Sequence, residues 1–357
     1  MASPPIPAHL RVVPHRSPRE TVVRARAAAR ARPRHVGIGL AAATLLVFCV
    51  SISVGDYPIG LLDVVPALLG AGDPASVVVA QDLRLPRALN GLLVGAVLGL
   101  SGAVFQAVAR NPLASPDILG VLFGSAVVAV LIITTVGASF VGLYAGALVG
   151  AIGMGALVYV LAFRRGVSPY RFVLVGMSLG LMASSMTFVL ITRTDLYSAA
   201  QATVWLTGSL NSTGWETVAP TGAIALVLAP LTIVLGPRLR ALQLGDDVGR
   251  GLGVEVERSR LALLMAAMGL AGAGTAAAGP VAFVAFMAAP IARRVTRAPV
   301  TLVPAALTGA LLVLGADLLG RRLFAPAEIP VGVITGIAGA PYLLWLLARV
   351  NRTGAGG

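Results

Sequence analysis

The chain has 357 residues, 57% of them hydrophobic and 11% charged, with a mean hydropathy of +0.90. That is too apolar for a soluble domain to hide in one core, so lipid is the solvent for most of it. The net charge of +13 is carried by arginine without a single lysine, but the arginines cluster at the ends of apolar runs, which argues against nucleic acid as a partner.

Residues 1–35 hold eight arginines, one acid and prolines at 4, 5, 7, 14, 18 and 33, a composition that predicts a disordered cytoplasmic tail. The three histidines, His9, His15 and His35, all lie in this tail, so the apolar runs have no imidazole to serve as base, ligand or proton relay. Cys49, the one cysteine, lies within the first apolar run, which excludes a disulfide framework and a thiol metal cluster; neither metal nor cofactor is expected. No small-residue cleavage site follows that run, against a removable signal peptide.

A hydrocarbon core of about 30 Å asks for roughly 20 apolar residues of helix. By that measure ten spans follow, near 36–54, 88–109, 118–136, 140–163, 170–192, 217–236, 261–279, 281–296, 300–319 and 330–348. The eighth is short and can form a re-entrant pair with the seventh without changing the topology. With the N-terminus inside, 22 of the 27 arginines are cytoplasmic, and only Arg84, Arg87, Arg193, Arg321 and Arg322 are outside, as the positive-inside rule demands. The expected architecture is an all-α integral membrane domain over 36–349 with about ten transmembrane helices, both termini cytoplasmic, and a short cytoplasmic tail at 350–357. Glycines four apart, at 91, 95 and 99, 142, 146 and 150, 176 and 180, and 332 and 336, predict close helix packing.

Two cytoplasmic segments stand out. Arg110 to Gly120, RNPLASPDILG, reads as a corner in which Asn111 and Pro112 stop one helix while Ser115, Pro116 and Asp117 start the next. Leu239 to Arg260 is polar and glycine-rich, with Asp247 and Arg250, Glu255 and Arg258, and Glu257 and Arg260 at i,i+3 spacing. This predicts two short amphipathic helices around Gly249, Gly251 and Gly253 that offer a docking surface to a cytosolic partner.

Eight motifs in order now matter together: RLPR at 84–87, SGAVFQ at 101–106, RNPLASPDILG at 110–120, LTGSLNSTGW at 206–215, LGDDVGRGLGV at 244–254, AGPVAFVAFMAAPIARR at 278–294, ADLLGRR at 316–322 and PAEIPVGVITGIAGAPYLLWLL at 326–347. From about Val36 to Arg349 the chain resembles the permease subunits of ABC importers for ferric siderophores, haem and cobalamin. The resemblance implies a non-catalytic pore subunit in the cell membrane, paired with a second permease chain, two cytosolic ATPases and an extracytoplasmic binding protein. It implies that Leu244, Gly245, Asp246, Asp247, Gly249, Arg250, Gly251, Leu252 and Gly253 couple to the ATPase. It further implies that Arg84, Arg87 and Arg321 meet acidic knobs on the binding protein, a role a guanidinium fork suits. The sequence departs from the family at Ala285 and Ala289, where glycine and histidine are common, while Pro290 and Arg293 are kept; this resembles a catecholate-type ferric siderophore permease.

Other classes fit less well. A nucleotide-binding G-x-x-x-x-G-K-[ST] motif is absent from the sequence. An ion-coupled secondary transporter wants ionisable groups within the bilayer, and Asp317, one turn before Arg321 and Arg322, reads instead as an ion pair at the outer interface. An intramembrane protease wants a serine with a histidine or paired aspartates, and the spans lack both.

Overall fold

The computed structural model describes residues 18–354 except 56, 58, 61–62, 138, 164–167, 212 and 324. The expectations for residues 1–17 and 355–357, and for Arg164 and Arg165, lie outside the described residues. The described helices are α1 (Pro18–Ser53), α2 (Val64–Leu68), α3 (Pro74–Val78), α4 (Leu85–Val108), α5 (Val121–Thr135), α6 (Phe140–Ala162), α7 (Pro169–Thr192), α8 (Leu196–Leu206), α9 (Trp215–Val234), α10 (Gly236–Gln243), α11 (Asp246–Gly251), α12 (Val256–Ala278), α13 (Val284–Thr296), α14 (Leu302–Arg322) and α15 (Val331–Gly354).

The ten predicted spans correspond to α1, α4, α5, α6, α7, α9, α12, α13, α14 and α15. Eight of these contain a stretch long and apolar enough to cross a membrane, and α5 and α13 are shorter. The helices differ from the sequence expectation in three places. The first helix begins at Pro18, inside the segment expected to be disordered, because proline suits a helix start and the alanine and arginine that follow are strong helix formers. At the other end α15 runs to Gly354, so residues 350–354 extend a helix. On the outer side α8 was not anticipated; Asp195 caps it by accepting from the Ser198 amide at 3.0 Å.

Helices α4 and α12 form the centre, with α9, α13 and α14 packed on α4, and α6 and α9 on α12. Lipid supplies no hydrophobic drive between helices, so close backbone approach must hold them. A methyl group added at Gly95 would strike the carbonyl of Gly309, one at Gly99 that of Ala305, and one at Gly102 that of Ala285. Gly150 meets the Gly124 carbonyl between α6 and α5 in the same way. Polar side chains on α4 serve backbone groups that water cannot reach: Ser101 Oγ donates to Ala267 O at 2.7 Å, Asn90 Nδ2 to Ala277 O at 3.2 Å and Gln106 Nε2 to Phe286 O at 3.0 Å.

The chain between α12 and α13 breaks within the fold, with Gly279 and Phe283 at positive φ. Its freed backbone groups find partners: the Ala278 carbonyl accepts from Ser209 N at 2.8 Å, and Phe283 N donates to Asp117 at 2.9 Å. This revises the corner at 110–120. Asp117 does not sit on the first turn of α5; a separate turn over 115–120, closed by Leu119 N to Ser115 O and ended by Gly120 at φ +79, intervenes. The carboxylate thereby crosses to the start of α13.

Candidate functional site

Two clusters of arginine and carboxylate mark the two faces of the bundle. The outer one is built where α4 begins and α14 ends. Asp317, only 4% exposed, receives Arg87 from α4 at 2.9 Å and Arg321, one turn further along α14, at 3.0 Å. The sequence anticipated the local pair with Arg321, and the fold adds Arg87. Its guanidinium donates Nε and Nη2 to Asp317, Nη2 also to Asn211 at 2.8 Å, and Nη1 to Glu328 at 3.2 Å. Arg321 also donates to Ser51 Oγ at 2.6 Å, tying α14 to α1.

Arg84 has a different environment from the one its motif suggests. It is buried, and its guanidinium donates to the carbonyls of Ile52 and Ser53 at 2.9 Å each and to that of Tyr57. A cation on the last carbonyls of α1 also complements that helix's dipole. Arg84 therefore clamps the outer end of the first helix. Beside it lies a cavity of about 290 Å³ lined by Arg84, Arg87, Arg321 and Arg322 with Glu328 as its acid.

The inner cluster holds the segment between α9 and α12. All three i,i+3 pairs form: Arg250 with Asp247 at 3.1 Å, Arg258 with Glu255 at 2.7 Å and Arg260 with Glu257 at 2.9 Å. Sequence spacing missed the stronger member. Asp246 accepts two 2.8 Å hydrogen bonds from Arg260, whose side chain is 4% exposed, and one of 2.9 Å from Arg110. Arg110 also grips Leu242 O, so the end of α4 is latched to the segment. Partial burial works to raise the Asp246 pKa, but the Arg260 hydrogen bonds and the charges of Arg260, Arg110 and Arg250 outweigh it and hold the carboxyl below its ordinary range.

On this frame Gly245 and Gly253 adopt φ +116 and +79, conformations that favour glycine, and set α11 apart as a short projecting helix. Leu244, Val248 and Leu252, spaced i, i+4 and i+8, stand 64%, 49% and 63% exposed. Gly251 has open space around its Cα, whereas Gly249 is buried against Val256. Next to this segment a cavity of about 580 Å³ is lined by Gln106, Arg110, Gln243, Arg293 and Arg294 among others. Arg293 donates to Gln106 Oε1 at 2.6 Å, and Arg294 stacks 3.7 Å over the Trp345 ring. Among the described residues no cluster of His, Cys, Asp and Glu is arranged to hold a metal ion.

A model of the FecCD transport family matches residues 43–349. The chain is 39% identical over 287 residues to the ferric enterobactin transport system permease protein FepG of Escherichia coli (strain K12), covering 80% of this chain and 87% of that one. It is 38% identical over 312 residues to the achromobactin transport system permease protein CbrC of Dickeya dadantii (strain 3937), covering 85% and 88%. Among solved structures, a metal-chelate type ABC transporter in an inward-facing conformation superposes with a TM-score of 0.79 at 29% identity, over 88% of this chain and 99% of that one.

Proposed function

We propose that this chain, which belongs to the FecCD transport family, takes a ferric siderophore from an extracytoplasmic binding protein at its outer arginine cluster and releases it inward under the drive of a cytosolic ATPase seated on α11. The chain is a multi-pass membrane permease of the iron-chelate ABC transporters. Its partners, its cargo and its contact residues form the proposal.

The projecting ridge of Leu244, Val248 and Leu252 carries the assignment of the ATPase side. Val248 on α11 and Leu244 and Leu252 on either side of it are large apolar side chains exposed together on the cytoplasmic face, a patch that a partner would cover. Leu244, Gly245, Asp246, Asp247, Gly249, Arg250, Gly251, Leu252 and Gly253 then fall into two groups. The apolar and open positions meet the ATPase, and Asp246 with Arg260 and Arg110 sets the angle at which they are presented. Two ATPase subunits and a second permease chain complete the assembly. On the outside, Arg87 and Arg321 hold the rim that an acidic knob approaches, while Arg84 fixes the wall behind it. The siderophore assignment draws on the cargo in the relatives' names and on alanine at 285 and 289; haem and cobalamin are the alternative cargoes.

Reconstitution of the chain in proteoliposomes with its ATPase and binding protein tests this. Uptake of a radiolabelled ferric catecholate should require both partners and ATP. Uptake driven by an ion gradient with neither partner present overturns the proposal, and uptake of haem or cobalamin in place of the catecholate overturns its cargo.

A further inference from the structure

We propose that Glu328 is an internal stand-in for the binding protein's carboxylate, and that docking exchanges one for the other on Arg87. The inference rests on the docking role proposed above and sharpens it, because the arginine offered to an acidic partner is already occupied. Each of its three nitrogens has an acceptor: Nε and Nη2 face Asp317, Nη2 also Asn211, and Nη1 faces Glu328. A guanidinium carries five N–H groups and these bonds use four, so the one left over is the second N–H of Nη1, and a carboxylate that approaches it competes with Glu328 for that nitrogen. Asp317 is 4% exposed and shared with Arg321, so it does not yield. Glu328 makes a single bond of 3.2 Å, the longest of the set, and its side chain is 38% exposed.

Charge favours the exchange. Arg87 and Arg321 line the outer cavity beside Arg84 and Arg322, so a carboxylate that enters it meets guanidinium groups on several sides. Exposed ion pairs contribute little, so the outgoing contact is weak, and a carboxylate inserted into the recess is shielded from water where the fork of Arg87 holds it better. Glu328 also sits on the short connection into α15, three residues before Val331. That connection is otherwise pinned by Ile329 N to Gly320 O at 3.1 Å and Gly332 N to Gly208 O at 3.0 Å. Exchange frees the Glu328 end of this connection, so arrival of the partner is registered at the start of the last helix.

The test measures affinity of the full transporter, permease with its ATPase in lipid nanodiscs, for the siderophore-loaded binding protein of the same gene cluster. E328Q keeps the shape and removes the competing charge. It should bind about two- to five-fold tighter, the equilibrium worth of an exposed pair, with an unchanged melting temperature, and Glu328→Asp should lie between wild type and E328Q. In an R87Q background, which weakens docking, E328Q should have no further effect. If R87Q weakens docking but E328Q leaves it unchanged or weaker, the docking role stands and the exchange is overturned. An E328Q gain that persists without Arg87 also overturns it. Affinity indifferent to both R87Q and R321Q removes the docking role itself.

Discussion

Replacing Asp246 with asparagine puts the inner latch to a quantitative test. The change preserves shape while removing the charge that two arginines share. Arg260, 4% exposed, loses a bidentate acceptor and keeps Glu257 alone; Arg110, 39% exposed, keeps the Leu242 carbonyl. A hydrogen bond to a charged group is worth about 1.5–3 kcal/mol when shielded, whereas the Arg110 pair lies near the surface and adds about 0–1. A local loss of about 2–4 kcal/mol follows, which multiplies the fraction of time the segment is detached by roughly 30- to 700-fold. Hydrogen exchange at the α11 amides should accelerate to that extent, while exchange in α4 and α12 stays slow. In reconstituted transporter, ATP hydrolysis should continue while chelate imported per ATP falls. Unchanged exchange together with an unchanged ratio would refute the latch. Acidity gives a second check: a carboxyl whose folded pKa is depressed contributes stability that is fully present above its unfolded value near 3.9 and lost only as pH falls through the folded value. The wild-type coupling ratio should therefore not vary through the state of Asp246 between about pH 5 and 8, and a change that D246N abolishes within that window would contradict the assignment.

Tryptophan at Gly251 meets open space in the isolated chain, so melting should not change while uptake uncouples from hydrolysis; coupled uptake would place the ATPase elsewhere. Valine at Gly102 must drive a methyl into the Ala285 carbonyl, which backbone cannot easily yield, and the loss should reach about 3 kcal/mol or more, read as loss of folded protein in detergent melting. Asp317→Ala leaves Arg87 and Arg321 without the carboxylate they share as counter-charge and should cost about 3–5 kcal/mol, whereas an exposed pair would cost under about 1. Arg84→Ala should lower the melting temperature through about 2–3 kcal/mol of lost hydrogen bonds at the end of α1; if it abolished docking with melting unchanged, Arg84 would face the partner after all.

What the sequence discloses about this molecule depends on the range of the interaction involved. The ten apolar runs, the i,i+3 pairs at 247, 255 and 257, and the Asp317–Arg321 turn are local, and each is present in the fold. The glycine spacing correctly announced close packing, though not which carbonyls it meets; Gly336 in fact has nothing near it. Contacts across the chain were not legible. Nothing in the neighbourhood of Asp246 distinguishes it from Asp247, yet one binds a buried guanidinium 14 residues away and the other stands in solvent. Asp117 looked like a first-turn residue because proline and serine precede it, and Gly120 moved the helix start beyond its reach. Arg84 and Arg87 share one motif, but three residues along a helical path turn one toward α1 and the other toward α14.

Arg87 lies in the first turn of α4 and Arg110 just beyond its last, 23 residues apart, a separation of about 35 Å along a helix. Between them α4 is wedged by glycine against α13 and α14, with side chains bonded into α12. One stiff rod thus has a hand on each side of the membrane, one gripping Asp317 at the outer rim and the other gripping Leu242 and Asp246 on the inner side. A tilt imposed at either end is a tilt at both, with no relay of loops between them.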